Sequence, residues 1–238
     1  NGVSHMLPFV IGGGILIALA FLFDDYSINP SNFGKNTPLA AYLKTIGEQA
    51  FGMMLPILAG FIAMSIADRP GLAVGLVAGM IAKMGATFAN PAGGDVNAGF
   101  LGALFAGFVG GYIVVGLRKL FSKLPKSLEG IKPVLLYPVI GIFLAAVVTT
   151  FINPYMGMIN DGLTHFLGGM GGASRVVLGM VLGGMMSIDM GGPFNKAAYV
   201  FGTAQLAEGN FEVMAAVMAG GMVPPIAIAL CTTFFKKK

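Results

Sequence analysis

The way apolar residues are strung together constrains this sequence more than any other feature. Runs close to the roughly 20 residues that a membrane-crossing helix needs recur along the chain, and the charged residues collect in the gaps between them. Only 10% of the 238 residues are charged and 56% are hydrophobic, whereas soluble domains carry about 25% charge. Such a chain cannot cover a water-facing surface. The expected fold is an all-α integral membrane protein, a polytopic helical bundle. The 37 glycines follow no triplet repeat. They fit helix packing in lipid, where small residues let backbones approach.

Eight hydrophobic segments are predicted, over residues 6–23, 51–67, 71–85, 98–117, 133–152, 176–188, 193–203 and 211–235. Residues 26–37 read as a loop, and the amphipathic stretch 38–48 as a helix lying along the interface. Asp68-Arg69-Pro70 is read as the stop of the second span, and Arg118-Lys119 as that of the fourth. With alternating crossings, Arg69, the cluster Arg118, Lys119, Lys123, Lys126 and Lys132, and the terminal lysines share one side. Asp24, Asp25, Asp95, Asp161, Glu208 and Glu212 lie opposite, with Lys35, Lys44 and Arg175. The Lys/Arg excess marks the cytoplasmic side, so both termini are expected inside the cell. A hairpin dipping partway into the bilayer would give the same parity.

The net charge of +4 is therefore a topology signal and not a sign of nucleic-acid binding. Cys231 alone supports neither an intrachain disulfide framework nor a cysteine-only metal site. His5 and His165 stand in separate contexts, and neither a metal motif nor a nucleotide-binding loop occurs. No cofactor is expected. No basic n-region or cleavage site precedes the first apolar run, which reads as a retained span. Small residues recur every fourth position at Gly71, Gly75 and Gly79, at Gly99, Ala103, Gly107 and Gly111, and at Gly179 and Gly183. Each stripe suits packing within the chain or, alternatively, a subunit interface.

Chemistry concentrates in Ser187-Ile-Asp-Met-Gly-Gly-Pro-Phe-Asn-Lys-Ala-Ala-Tyr199. Asp189, Asn195 and Lys196 lie between two apolar runs, where an Asp or Lys costs roughly 2.5–3.5 kcal/mol at a helix centre. Gly191, Gly192 and Pro193 separate acid from base. Glycine tolerates unusual backbone angles and proline favours a first helical turn. One helix is thus expected to end near Asp189 and another to begin near Pro193, forming a re-entrant helical hairpin. Broken helices line solute paths in transporters. Carboxylate, amide, ammonium and unpaired backbone groups match sugar hydroxyls, which both donate and accept. Asp189, Gly191, Gly192, Asn195 and Lys196 are the candidate substrate contacts. An Asp189–Lys196 ion pair pinning two helices is the alternative.

Asn90-Pro-Ala-Gly-Gly-Asp-Val-Asn97 reads either as an outer loop with ordinary turn chemistry or as a dip into the bundle. Asn90, Asp95 and Asn97 are further candidate contacts, with His165. Lys83 is expected to snorkel to an interface. Pro133 and Pro138 suggest a stiff start or a kink in the fifth span. The basic run before it is a topology signal or a docking surface for a soluble cytoplasmic partner.

Four stretches resemble the IIC domain of fructose-type phosphotransferase permeases. They are Val3-Ser-His-Met-Leu-Pro-Phe-Val-Ile-Gly-Gly-Gly14, Asn90-Pro-Ala-Gly-Gly-Asp-Val-Asn-Ala-Gly-Phe-Leu-Gly102, Glu129-Gly-Ile-Lys-Pro-Val-Leu135, and Asp189-Met-Gly-Gly-Pro-Phe-Asn-Lys-Ala-Ala-Tyr199. The likeness covers essentially the whole chain. It implies a protein of the bacterial cytoplasmic membrane that carries fructose or a related hexose inward. A separate IIB domain or subunit, with phosphate on a cysteine, would phosphorylate the sugar, usually to fructose 1-phosphate. The chain would be part of a transport-coupled phosphotransferase with no phosphoryl-carrying residue of its own, a homodimer set in membrane lipid. The resemblance also implies a scaffold domain over residues 1–153 and the N-terminal portion of a mobile substrate domain over 154–238. Family members normally continue into a second hairpin with an Ile-Thr-Glu-Gly-type motif, which has no counterpart here. A non-transporting scaffold or regulatory fragment, and an ion-coupled sugar carrier, are the competing functions.

Overall fold

The computed structural model describes residues 2–25, 27–29, 32–94, 96, 98–125, 129–168, 172–188, 195, 198–199, 201–203, 205 and 209–234. Every regular element among them is helical. The helices are α1 (Gly2–Leu22), α2 (Pro38–Gly52), α3 (Met54–Met84), α4 (Gly99–Phe121), α5 (Tyr137–Gly168, preceded by a π-helical turn at Lys132–Leu136), α6 (Gly172–Ile188) and α7 (Phe211–Phe234). Five stretches are long and apolar enough to cross a membrane when Pro38–Met84 is taken as one; Ser174–Ile188 is shorter. Of the seventh predicted segment, 193–203, six residues are described, and all six are helical. Contacts divide the chain into two units, Asn1–Gly157 and Met158–Lys238, and the division falls inside α5.

In the first unit, the two spans expected on either side of Asp68-Arg69-Pro70 are the two arms of α3. One arm ends and the next begins at a sharp bend where Ala67 (φ −128°, ψ 20°) and Asp68 (φ 52°, ψ −152°) leave helical geometry. Its two arms fold back on each other without an intervening loop. A Cβ added at Gly75 would sit 2.6 Å from the Ala59 carbonyl oxygen, and one at Gly79 would sit 2.6 Å from Ala59 Cβ. Helix α4 packs on the first arm the same way, with Gly107 over Ala59 and Gly111 over Ile66. Both stripes are used within the chain, where the absence of a side chain lets backbone meet backbone. Ala67, Val74, Ala78 and Ala82 of α3, Ala106 and Val114 of α4 and Ala145 of α5 form the buried core.

Helix α1 crosses α2 where Gly13 meets Gly47 and Phe51, and reaches α3 through His5 stacked on Phe61 at 3.9 Å between ring centres. Thr37 caps α2, its Oγ1 accepting from Ala40 N–H at 3.3 Å, with Pro38 in the first turn. Gly85 ends α3 in the left-handed region at φ 64°, where any Cβ would also overlap the Val96 carbonyl. Lys83 is exposed and lies over Gly52. Lys132, grouped from sequence with the basic cluster, is only 8% exposed. Its carbonyl accepts from Tyr137 N–H across the widened turn. Pro133 supplies no N–H, so a five-residue closure there replaces the ordinary ladder. Helix α5 then runs well past the expected end near Ile152, through Pro154, to Gly168.

The α3 bend is held by one side chain. Arg118 Nη2 donates to the Ala67 carbonyl at 2.7 Å, and Nη1 pairs with Asp68 Oδ2 at 3.1 Å. The Asp68 carboxylate is 81% exposed, so the ion pair contributes at most about 1 kcal/mol, and the bond to Ala67 carries more. A non-glycine residue at such angles costs about 1–3 kcal/mol. Arg118→Ala is therefore expected to destabilise the protein by about 2 kcal/mol. Asp68→Gly should lose clearly less than Asp68→Ala, because glycine removes the strain along with the pair. Thermal unfolding in detergent micelles ranks the three; equal losses for the two Asp68 variants would contradict the strained-turn account.

Asp24 organises the loop between α1 and α2. Its carboxylate accepts from the N–H groups of Gly34, Asn36 and Thr37, the last two at 3.1 and 2.8 Å. Desolvation pushes its carboxyl upward, but the backbone donors together outweigh it and hold the group below its ordinary value. A depressed folded-state value means that the contribution is complete above the unfolded carboxylate range. It is lost only as pH falls through the lowered value. Amide protection at Gly34, Asn36 and Thr37, corrected for intrinsic exchange, should thus hold to below the usual aspartate range and then drop. In Asp24→Asn it should be low at every pH.

Candidate functional site

The second unit contains the stretch singled out for chemistry. Asp189, Gly191, Gly192 and Lys196 lie outside the described residues, as do Asp95 and Asn97 of the first unit. Asn195, Asn90 and His165 are described.

Asn195 is helical and half-buried. Its Nδ2 donates to the carbonyl of Met186 at 3.3 Å. Met186 belongs to the last turn of α6, whose final carbonyls have no partner within the helix. Asn195 thus lies beside the last described turn of α6. Hydrophobic residues surround this contact. Leu182 and Met186 of α6 form a buried cluster with Ala198 and with Val217 of α7, and Met185 and Tyr199 pack against it.

Ser187 fixes the same end of α6 to α7. Its hydroxyl lies 3.1 Å from the Gly183 carbonyl and 2.8 Å from the Gly220 carbonyl, with both as acceptors. At this crossing Gly183 and Gly220 bring the two backbones into direct contact, so the Gly179/Gly183 stripe is also used within the chain. Further along the chain, Thr203 Oγ1 donates to the Tyr199 carbonyl at 3.0 Å. Buried Gln205 accepts at Oε1 from Asn210 Nδ2 at 2.9 Å, in the turn that leads into α7. At the other end of α6, Arg175 pairs with Glu212 of α7 at 3.2 Å.

Asn90 is engaged by its own loop. Its N–H donates to Thr87 Oγ1 at 3.0 Å, and its Nδ2 to the Gly93 carbonyl at 3.0 Å. Gly94 N–H donates to the Met84 carbonyl at 2.9 Å, tying the loop to the end of α3. His165 is exposed near the end of α5. Asn90 belongs to one unit and His165 and Asn195 to the other, and each is placed within its own.

One buried amide escaped the sequence reading. Asn153 of α5 is 1% exposed and donates from Nδ2 to the carbonyls of Ile81 at 3.2 Å and Ala86 at 2.8 Å. A usable signal was present. Thr149 and Asn153 interrupt an apolar run four residues apart, on one helix face, and polar groups at that depth need partners.

The family model "Phosphotransferase system, EIIC" matches residues 1–238. The chain is 49% identical over 239 residues to the PTS system fructose-specific EIIABC component of Bacillus subtilis, covering 100% of this chain and 36% of that protein. It is 50% identical over 215 residues to the fructose permease IIC component of Bacillus amyloliquefaciens, covering 90% and 67%. It is 44% identical over 243 residues to the PTS system fructose-specific EIIB'BC component of Escherichia coli, covering 100% and 40%. The chain thus spans between 36% and 67% of the length of these relatives. No solved structure matches it. With apolar helices throughout and a family match along its full length, the chain belongs to the EIIC family of the phosphotransferase system.

Proposed function

We propose that this chain is sugar-translocating IIC material of a phosphoenolpyruvate-dependent fructose phosphotransferase system. In this reading it carries fructose across the bacterial cytoplasmic membrane to a IIB domain that phosphorylates it. The names of the relatives support the sugar and the partner: they are fructose-specific, and several unite IIB and IIC in one protein. The observation that carries the reading is the bond from Asn195 to the Met186 carbonyl. In this reading it belongs to a helix interrupted and re-entered at a stretch rich in polar groups, the arrangement by which transporters present backbone groups to a solute.

The chemistry follows from what a sugar loses on entering protein. Each hydroxyl gives up water that donated and accepted hydrogen bonds, and the site must return both. Asn195 spends a donor on Met186 and keeps Oδ1 to accept from a hydroxyl. In this reading Asp189 supplies further acceptors, Lys196 donors, and Gly191 and Gly192 backbone groups. Because Asn195 also bonds to the last turn of α6, sugar binding and the integrity of the break are coupled through one carboxamide. The same reading makes the protein a homodimer with both termini cytoplasmic, as the distribution of Lys and Arg suggests.

The test is uptake of labelled sugars by vesicles containing the complete permease and its IIB partner. Uptake should require phosphoenolpyruvate and prefer fructose. Asp189→Asn with Lys196→Met, and separately Asn195→Ala, should each lower it at least about tenfold, the equivalent of one good hydrogen bond to a charged or buried group. Wild-type rates in both would remove the site. Uptake that survives without phosphoenolpyruvate but collapses with the proton gradient would replace the phosphotransferase by an ion-coupled carrier.

A further inference from the structure

A second feature of the α6–α7 unit is independent of the helix break. A cavity of about 300 Å³ opens between the first half of α6 and the start of α7, lined among others by Arg175, Gly179, Leu182, Asn210, Phe211 and Glu212. This lies at the lower end of the size range of small-molecule sites, roughly 300–1,000 Å³. Arg175 and Met186 are eleven residues apart, roughly 16 Å along a helix. The cavity therefore begins on α6 about three turns before Met186 and ends at Leu182, about one turn before it.

We infer that this cavity is a second monosaccharide site that takes the neutral sugar and not its phosphate. Its wall carries one cation and one anion, paired at 3.2 Å, and these cancel. The described lining residues offer no surplus positive charge for a phosphate or carboxylate. They do offer what a neutral polyol uses. Of the five N–H donors on the Arg175 guanidinium, the pair with Glu212 occupies those of Nη1. The Glu212 carboxylate has acceptor capacity left, since it can receive about four bonds. Asn210 is held in place by buried Gln205 and adds an amide. Phe211, 64% exposed, provides an aromatic face for the C–H side of a sugar ring. Gly179 keeps the wall open where a longer side chain would fill it. Exposed ion pairs are weak, so vicinal hydroxyls can bridge Arg175 and Glu212 at little cost, and a weak, fast-exchanging site results. This assignment rests on the permease reading for the identity of the sugar.

The experiment is photolabelling of the full chain in lipid nanodiscs with a diazirine-bearing D-fructose, mapped by mass spectrometry. Labels are expected on 175–182 and 209–216, displaced by excess fructose but not by fructose 1-phosphate. Arg175→Gln combined with Asn210→Ala should reduce them about tenfold, as should Gly179→Leu, while labels at 186–199 persist. Glu212→Gln, the mildest change, serves if the others fail to fold and should reduce cavity labelling too. Labels confined to 186–199 would overturn the second site and leave the permease reading standing. Cavity labels that excess fructose does not displace, or that fructose 1-phosphate displaces equally, would also overturn it. The absence of any fructose-displaceable label on the chain would overturn the permease reading and this site with it.

Discussion

Hydrocarbon offers a peptide group no hydrogen bond, so backbone left open at a helix end must find its partner inside the protein. That requirement bears on four polar side chains in particular. Arg118 takes the Ala67 carbonyl at the α3 bend. Asn153 takes two carbonyls at and just beyond the end of the same helix. Ser187 takes one on α7, and Asn195 takes one on the last turn of α6. In each case a polar side chain that looks out of place beside apolar runs donates to a backbone carbonyl. The candidate substrate stretch differs from the others in density: an acid, an amide and a base occur within eight residues, more polar groups than one helix end needs.

Small residues answer the second requirement of a bilayer, association without a hydrophobic drive between helices. The contact between Gly183 and Gly220 and the meeting of the α3 arms at Gly75 and Ala59 are backbone contacts. Their strength comes from many close approaches and not from interlocking side chains. This is why the α6–α7 pair can be fixed by one hydroxyl at one end and by an exposed ion pair at the other.

Much of this was legible in the sequence. The apolar runs gave α1, α4 and α7 to within a few residues, because their ends coincide with charge or a polar loop. The expected break near Asp189 rests on acid, glycines, proline and base, which lie outside the described residues. Two long-range events were not. Asp68-Arg69-Pro70 was legible as the end of one span, but not that the next begins without a loop, at a bend stabilised by Arg118, fifty residues on. Asn153-Pro154 also looks like a stop, yet α5 continues, because the Asn153 amide is engaged with Ile81 and Ala86 instead of capping its own helix. No local pattern encodes either partner. The ambiguity at Asn90 had the same origin: its turn bonds are local, but the tie from Gly94 to Met84 is what seats the loop.

The loopless bend at Ala67–Asp68 bears on how the protein is made. The first arm of α3 presents a face of Ala59, Gly60 and Ala63 whose matching surface is the second arm. Until that arm leaves the ribosome, the face has only lipid against it. At about 5–20 residues per second, the sixteen residues from Arg69 to Met84 take about 1–3 s to appear. Release of the first arm alone would leave its small-residue face against lipid, so the two arms are expected to enter the bilayer as a pair that α4 completes when it brings Arg118 to the bend.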